Sequence, residues 1–348
     1  MPEGTSKQPE FNATSSLFQF AWIAITSFVL LFLTYQSITK FRSIDEMPEL
    51  LPITPAKAAE FGGTPAHVKV GLQISSFSVF DMINNNFALA GTVWFEFDPS
   101  MTSLETIGKF SFEKGEIKQV SPPSTRIIGG RLFARYNVRV ELKTNLNQKL
   151  FPFTGHTLYI VVDNNYVSPA EIVFASALKD FVLSRGIVVS GWKEYDRHVY
   201  TGYSVAELEK SNKEKTIYHP RAMFAIDFAF VGVRQILTIL LPLILIFFIS
   251  VFSFALDPKG YYTSILTISS GSITGLLAYR FVIENLSPKV GYFMLSDWLF
   301  FLFLTMTFVV FFANTKTLNL HVRSKELITI VLHGIVIATA IYLFNFWV

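Results

Sequence analysis

Residues 261–286 read YYTSILTISSGSITGLLAYRFVIENL, and the spacing of their hydroxyl groups organises the rest of the chain. On a helix advancing 100° per residue, Thr263, Thr267, Ser270, Thr274, Leu277 and Phe281 share a sector roughly 80° wide. The other side carries Ile265, Ile268, Leu276, Tyr279 and Ile283. Hydrocarbon satisfies no hydroxyl, so inside a bilayer such a stripe faces protein or water. Either the small residues permit close helix packing, or the stripe lines a water-filled path closed by Leu277 and Phe281, a type of constriction that gates by dewetting.

The surrounding sequence puts this helix among others of its kind. The chain has 348 residues, 51% hydrophobic and only 16% charged, against about 25% charged in an ordinary soluble domain. Runs near the length of a bilayer crossing, about 20 residues, lie at 17–35, 236–256 and 327–348, and less apolar ones at 261–279 and 292–313. Five crossings are therefore expected. The expected plan is a membrane anchor or uncleaved signal (1–36), a linker with four prolines (37–65), a β domain (66–230) and a four-helix transmembrane bundle (231–348). A small-residue cleavage site at Ala56-Lys57-Ala58 lies about 20 residues past the first apolar run, much farther than such sites usually sit, which favours a retained anchor.

Loop charge sets the expected orientation. Lys316, His321, Arg323 and Lys325 separate the last two runs, and the positive-inside rule places them in the cytoplasm. Counting back puts the N-terminus in the cytoplasm and residues 66–230 on the outer or periplasmic side of a plasma (inner) membrane, although Lys40 and Arg42 weigh the other way.

Between the first and second runs the hydrophobic period changes from helical to two. Leu132, Ala134, Tyr136, Val138, Val140 and Leu142 alternate with Phe133, Arg135, Asn137, Arg139, Glu141 and Lys143, the signature of a strand with one buried face. Similar runs at 68–79, 87–97, 157–163, 171–174, 187–192 and 217–230 are separated by turn clusters such as Asn84-Asn85-Asn86 and Gly129-Gly130. The expectation is an antiparallel, immunoglobulin-like β-sandwich.

Several function classes drop out. A formal charge of +3 is too small and too scattered for a nucleic-acid surface. Without cysteine there is no disulfide, Cys-ligated zinc, iron–sulfur cluster or thiol catalysis. The six histidines show no metal-ligand spacing, and the glycines form neither a phosphate loop nor a dinucleotide fingerprint. No catalytic residue, metal or cofactor is expected, and the chain does not read as an enzyme.

In segment order from Val68 onward the sequence resembles the pentameric ligand-gated ion channels, or Cys-loop receptors, especially their cysteine-free bacterial members. Phe151-Pro152-Phe153 followed by Thr154, His156 and Leu158 is similar to the family's FPFD-x-Q-x-L loop. Gly191-Trp192 before a long hairpin, Leu240-Leu241-Pro242, and Ile283-Glu284 followed by Pro288-Lys289 are further matches. The resemblance implies a homopentamer in a lipid bilayer, opened by a small ligand or protons and passing inorganic ions, with the 262–283 helix lining the pore. It implies coupling through Phe151, Pro152 and Phe153 to the loop around Pro288, and a ligand site between subunits, for which Tyr166, Tyr195, Tyr200 and Tyr203 are candidates.

The departures from the family bear on mechanism. Thr154 and His156 replace the family's Asp and Gln, and Thr263 stands where cation-selective bacterial members carry an acidic residue. Glu284 at the outer pore mouth would concentrate cations as five copies, or be cancelled by Arg280 one helical turn away. His156 is either a titrating switch near neutral pH or a solvated loop histidine. Asp297 reads as a helix cap and His333 as a bond to a neighbouring helix. The rival function is a non-conducting membrane receptor whose β domain binds a partner or small ligand.

Overall fold

The computed structural model describes residues 13–153, 155–187, 189–209, 215–315 and 320–347. They form two compact units, one of Ser43–Asn147 with Gly155–Phe230, the other of residues up to Arg42, Gln148–Thr154 and Val231 onward.

The first unit is β-rich. Strands β1 (Ala66–Asp81), β2 (Asn86–Phe97), β4 (Gly115–Val120), β5 (Ser124–Ile128), β6 (Arg131–Lys143), β8 (Ile172–Ala175) and β9 (Phe181–Leu183) form a seven-stranded sheet. Its order is β4-β6-β2-β1-β8, with β5 on β6 and β9 on β1. A four-stranded sheet runs β10 (Trp192–Glu207), β11 (Thr216–Phe230), β7 (His156–Asp163) and β3 (Ser111–Phe112). Arrangement is mixed: β8 and β9 pair parallel with β1, whereas the expectation was antiparallel throughout. These two short strands have nothing in their own sequences to set direction.

The alternating run became β6 as expected, with Ala134, Tyr136, Val138, Val140 and Leu142 buried and Arg135, Asn137, Arg139, Glu141 and Lys143 exposed; Leu132 and Phe133 are half-buried. The β1–β2 turn forms because the Asp81 carboxylate accepts the Ile83 and Asn84 amides at 3.0 Å each and Asn85 tolerates φ 55°. At the β5–β6 hairpin both glycines take positive φ, 54° at Gly129 and 80° at Gly130, the geometry that a two-residue turn of matching twist needs. Sequence missed β4 and β5 because they are edge strands with no buried residue. Of the 187–192 run, Val188 lies outside the described residues and the rest gives the bridge Val189–Trp192; the long strand starts where that run ends, after Gly191 turns the chain at φ 79°.

Residues 43–65 are not a free linker but part of this unit. Leu51 exchanges backbone hydrogen bonds with Tyr203 at 2.8 and 2.9 Å, and the short helix α2 (Pro55–Phe61) packs Phe61 on Tyr203 and Tyr218. Gly202 makes the crossing possible, since a Cβ there would sit 2.2 Å from the Leu51 carbonyl oxygen. A short helix, α3 (Leu104–Gly108), precedes β3. Inward residues of both sheets, among them Val70, Leu72, Phe95, Leu158, Ile160, Phe224 and Ile226, form one core. Truncating a fully buried ring such as Phe95 would cost about 3–5 kcal/mol.

The second unit is helical: α1 (Ala13–Thr39), α4 (Val233–Phe252), α5 (Pro258–Leu286), α6 (Leu295–Asn314) and α7 (Val322–Tyr342). All five are long and apolar enough to cross a membrane. Helices α4, α5 and α6 pack on one another, and α1 lies against α7 and α4. Polar side chains join the helices at two levels. Asn314 donates to Ser253 Oγ (2.8 Å) and Ser269 Oγ (2.9 Å) and accepts from Lys325 Nζ (2.9 Å), tying the end of α4 to α5, α6 and α7. On α1, Gln19 donates to Thr329 Oγ1 at 2.9 Å and Thr26 Oγ1 bonds His333 Nδ1 at 2.7 Å. Hydrogen bonds between membrane helices are worth about 0.6–2 kcal/mol each, so α1 is fixed to α7 by more than apolar contact.

Candidate functional site

Helix α5 starts at an Asp257 cap, whose carboxylate accepts the Lys259 amide at 3.0 Å, with Pro258 in the first turn. Ile265, Ser269, Ser272, Leu276 and Ile283 are buried. The six stripe residues, Thr263, Thr267, Ser270, Thr274, Leu277 and Phe281, are all exposed among the described residues. Of the residues expected opposite the stripe, Ile268 and Tyr279 are only half-buried. Thr267, Ser270 and Thr274 donate to the carbonyls four residues earlier at 2.9, 2.8 and 3.2 Å. Each hydroxyl is thereby satisfied within its own helix, and its oxygen still offers an acceptor lone pair along the exposed side. Above this polar row, Leu277 and Phe281 present 49% and 68% of their surface.

Charge at the end of α5 is shared among three residues. Arg280 ion-pairs with Asp297 Oδ1, and its Nε lies 3.6 Å from Glu284, which is more than half exposed. Asp297 caps α6 as expected, accepting the Met294 amide at 2.8 Å. Its pairing with Arg280 was not visible in the sequence, where Arg280 and Glu284 stand one turn apart.

The FPF loop packs within the helical unit. The carbonyls of Lys149 and Phe151 accept the first amides of α6, from Leu295 (2.8 Å) and Ser296 (3.2 Å), two donors that no residue of α6 can satisfy. The Gln148 amide donates to Tyr292 Oη at 2.9 Å, and the Phe153 ring meets Phe344 edge-on at 4.9 Å. Phe151, Pro152 and Phe153 are buried, as is Pro288, yet the described hydrogen bonds of the loop run to Tyr292, Leu295 and Ser296 rather than to Pro288. Thr154 and Lys316 lie outside the described residues.

His156, open in the sequence as a solvated loop residue, is only 1% exposed. Its Nδ1 lies 3.0 Å from Asp45 Oδ2, and the Asp45 side chain is itself 2% exposed. The four tyrosines do not form a cage within one chain. Tyr203 is a packing residue beneath residues 43–65, 6% exposed. Tyr200 lies beside His198, with ring centres 6.2 Å apart. Tyr166 is exposed with Lys109 Nζ 5.6 Å over its ring, and Tyr195 is exposed on β10. Among the described residues no group of His, Asp or Glu has the geometry of a metal site.

No protein-family model matches this chain, and no curated protein matches it.

Proposed function

We propose that this chain forms a homopentameric ion channel in a plasma (inner) membrane. In this assembly the two sheets act as a sandwich outside the membrane, α5 lines the pore, and the N-terminus and Lys325 face the cytoplasm. One observation carries the proposal: α5 buries Ile265, Ser269, Ser272, Leu276 and Ile283 inside the chain while a row of hydroxyls, topped by Leu277 and Phe281, is left uncovered among the described residues. Copies of α5 arranged around an axis would place that row on water, where an exposed hydroxyl is at no cost. Leu277 and Phe281 then form the closed constriction.

Opening begins in the β unit with a small ligand or protons. Motion passes through Phe151, Pro152 and Phe153, whose loop already holds the first amides of α6, and through the α5–α6 connection around Pro288. Inorganic ions are the permeant species; the chain carries out no catalysis and needs no cofactor. Tyr166, Tyr195 and Tyr200 are exposed in one chain, where a neighbouring copy would complete a site.

The test is a scan of single cysteines from Thr263 to Phe281 in the cysteine-free full chain, reconstituted in liposomes and treated with a charged, water-soluble thiol reagent. Reaction is expected at 263, 267, 270 and 274, with 265, 269 and 276 protected. Labelling without a helical period would remove the pore from α5.

A further inference from the structure

Asp45 lies in a proline-rich segment whose sequence reads as a tether, yet it is the most heavily bonded carboxylate at the neck of the FPF loop. Its Oδ1 accepts the backbone amide of Asn147 at 2.6 Å. Its Oδ2 accepts the amide of Thr157 at 2.9 Å and lies 3.0 Å from His156 Nδ1. Ser43 Oγ adds a bond at 2.9 Å. Asn147 is the residue immediately before the loop segment 148–154, and His156 and Thr157 follow it as the first residues of β7. One buried carboxylate therefore holds both stems of the loop.

A carboxylate that accepts two backbone amides and a ring N–H is both oriented and stiff, because charge-assisted bonds are roughly twice as strong as neutral ones. The neck is braced further on the β side. Thr157 Oγ1 donates to Asp227 Oδ1 at 2.8 Å, and the His156 ring lies 5.5 Å from that of Trp192. Beyond the neck, the loop's carbonyls cap α6 and its Gln148 amide is bonded to Tyr292. Upstream, Asp45 is six residues past Thr39, the last residue of α1, and α1 is bonded to α7 through Gln19 and Thr26.

We infer that Asp45 is a positioning residue for channel opening: it sets the separation of the two stems of the coupling loop and so makes the segment after α1 part of the gating apparatus. This rests on the channel function proposed above. Asp45 touches no permeant ion; it acts through the loop. Freeing it loosens the two stems of the loop, at Asn147 and at Thr157, and changes how often the pore opens without a stimulus.

The experiment uses the full chain in liposomes, as wild type, Asp45→Ala, Asp45→Asn and Thr54→Ala. Thr54→Ala is the control: it removes the cap of α2, a 3.3 Å bond to the Lys57 amide further along the same segment, and leaves the neck untouched. Two quantities are read: hydrogen exchange at the Asn147 and Thr157 amides, and basal open probability in planar bilayers. Asp45→Ala is expected to speed exchange at both amides about tenfold and to shift open probability by about fivefold or more. Asp45→Asn, which keeps one acceptor oxygen, should fall between, and Thr54→Ala should match wild type in both.

Faster exchange with unchanged open probability would make Asp45 a structural brace only and overturn the inference. Unchanged exchange in Asp45→Ala would overturn it whatever the currents do. If wild type and a Phe281→Ala chain both stay silent while the two amides respond as expected, the channel function fails and takes the gating role with it, leaving the clamp itself in place.

Discussion

Arg280 near the end of α5 is ion-paired with Asp297 in the first turn of α6, and Asp297 is 95% shielded from solvent. Asp297 also caps α6 through the Met294 amide, so one carboxylate closes a helix end and neutralises a cation on its neighbour. Glu284 shares Arg280 only through a longer contact of 3.6 Å. The guanidinium is thus mainly committed to Asp297, and the exposed Glu284 carboxylate keeps much of its field.

Two substitutions should separate these roles. Asp297→Asn leaves a partly buried guanidinium without its partner, and a loss of about 3 kcal/mol is expected, read as a lower unfolding temperature in detergent. Glu284→Gln should hardly affect stability, since an exposed pair contributes about 0–1 kcal/mol. Its effect should instead appear in asymmetric salt, as a reversal potential displaced towards the chloride equilibrium potential. No displacement would put Glu284 outside the conduction path.

Leu277 and Phe281 are the largest apolar side chains on the uncovered side of α5. If their side chains keep the closed pore dry, Phe281→Ala should raise unstimulated open probability about tenfold, equivalent to ~1.4 kcal/mol, and Leu277→Ala should act in the same direction. Single-channel recording reads both. Unchanged closed-state leak in the two variants would move the gate elsewhere along α5.

How much of this was legible in the sequence depended on whether the signal was local. The period-two run that became β6 needs only a dozen or so neighbouring residues; the 100° arithmetic of α5 is equally local, and in one chain the stripe is exposed while Ile268 and Tyr279 opposite it are only half-buried. The five apolar helices were visible for the same reason. What could not be seen was pairing at a distance. Asp45 and His156 are 111 positions apart, and nothing in a proline-rich stretch marks one acid as buried. Tyr203 looked like an available aromatic because its cover, Leu51 and Phe61, comes from residues that read as a linker. Phe151-Pro152-Phe153 stands out as a short apolar stretch, but that the carbonyls of Lys149 and Phe151 satisfy the start of α6 follows from the fold alone. The strands β8 and β9 are too short to carry a directional pattern, and their parallel pairing with β1 is a consequence of chain path.

The bond between Thr26 and His333 predicts that α1 is a structural part of the helical unit. His333 is fully buried, with Trp22 stacked at 6.1 Å and Phe247 and Phe248 at 5.6 and 5.9 Å. Thr26→Val should cost about 0.6–2 kcal/mol, and the double variant with His333→Leu should cost less than the sum of the two single changes, because the second removes a group already left without its partner. Thermal unfolding of the four chains in detergent completes the cycle. Additive losses would mean that the Thr26–His333 bond does not help to hold α1, leaving Gln19–Thr329 and apolar contact.

His219 on β11 predicts a pH dependence for the β unit. Burial is the main cause that pulls its pKa below the ordinary 6.5; Arg221 adds to the shift and Asp163 opposes it. Its Nδ1 has no hydrogen-bond partner among the described residues, which fits a ring held neutral. Well above pH 6.5 the imidazole is neutral in folded and unfolded chains alike and contributes nothing to the pH slope. As pH falls through 6.5 the unfolded chain takes up the proton first, so stability is lost until the folded-state pKa is also passed. His219→Gln removes this contribution. Between pH 7.5 and 5.5 the unfolding temperature of wild type should therefore fall further than that of His219→Gln, by about 2 °C for a domain of this size. Parallel curves for the two chains would show that His219 titrates alike in both states and that its burial leaves no mark on stability.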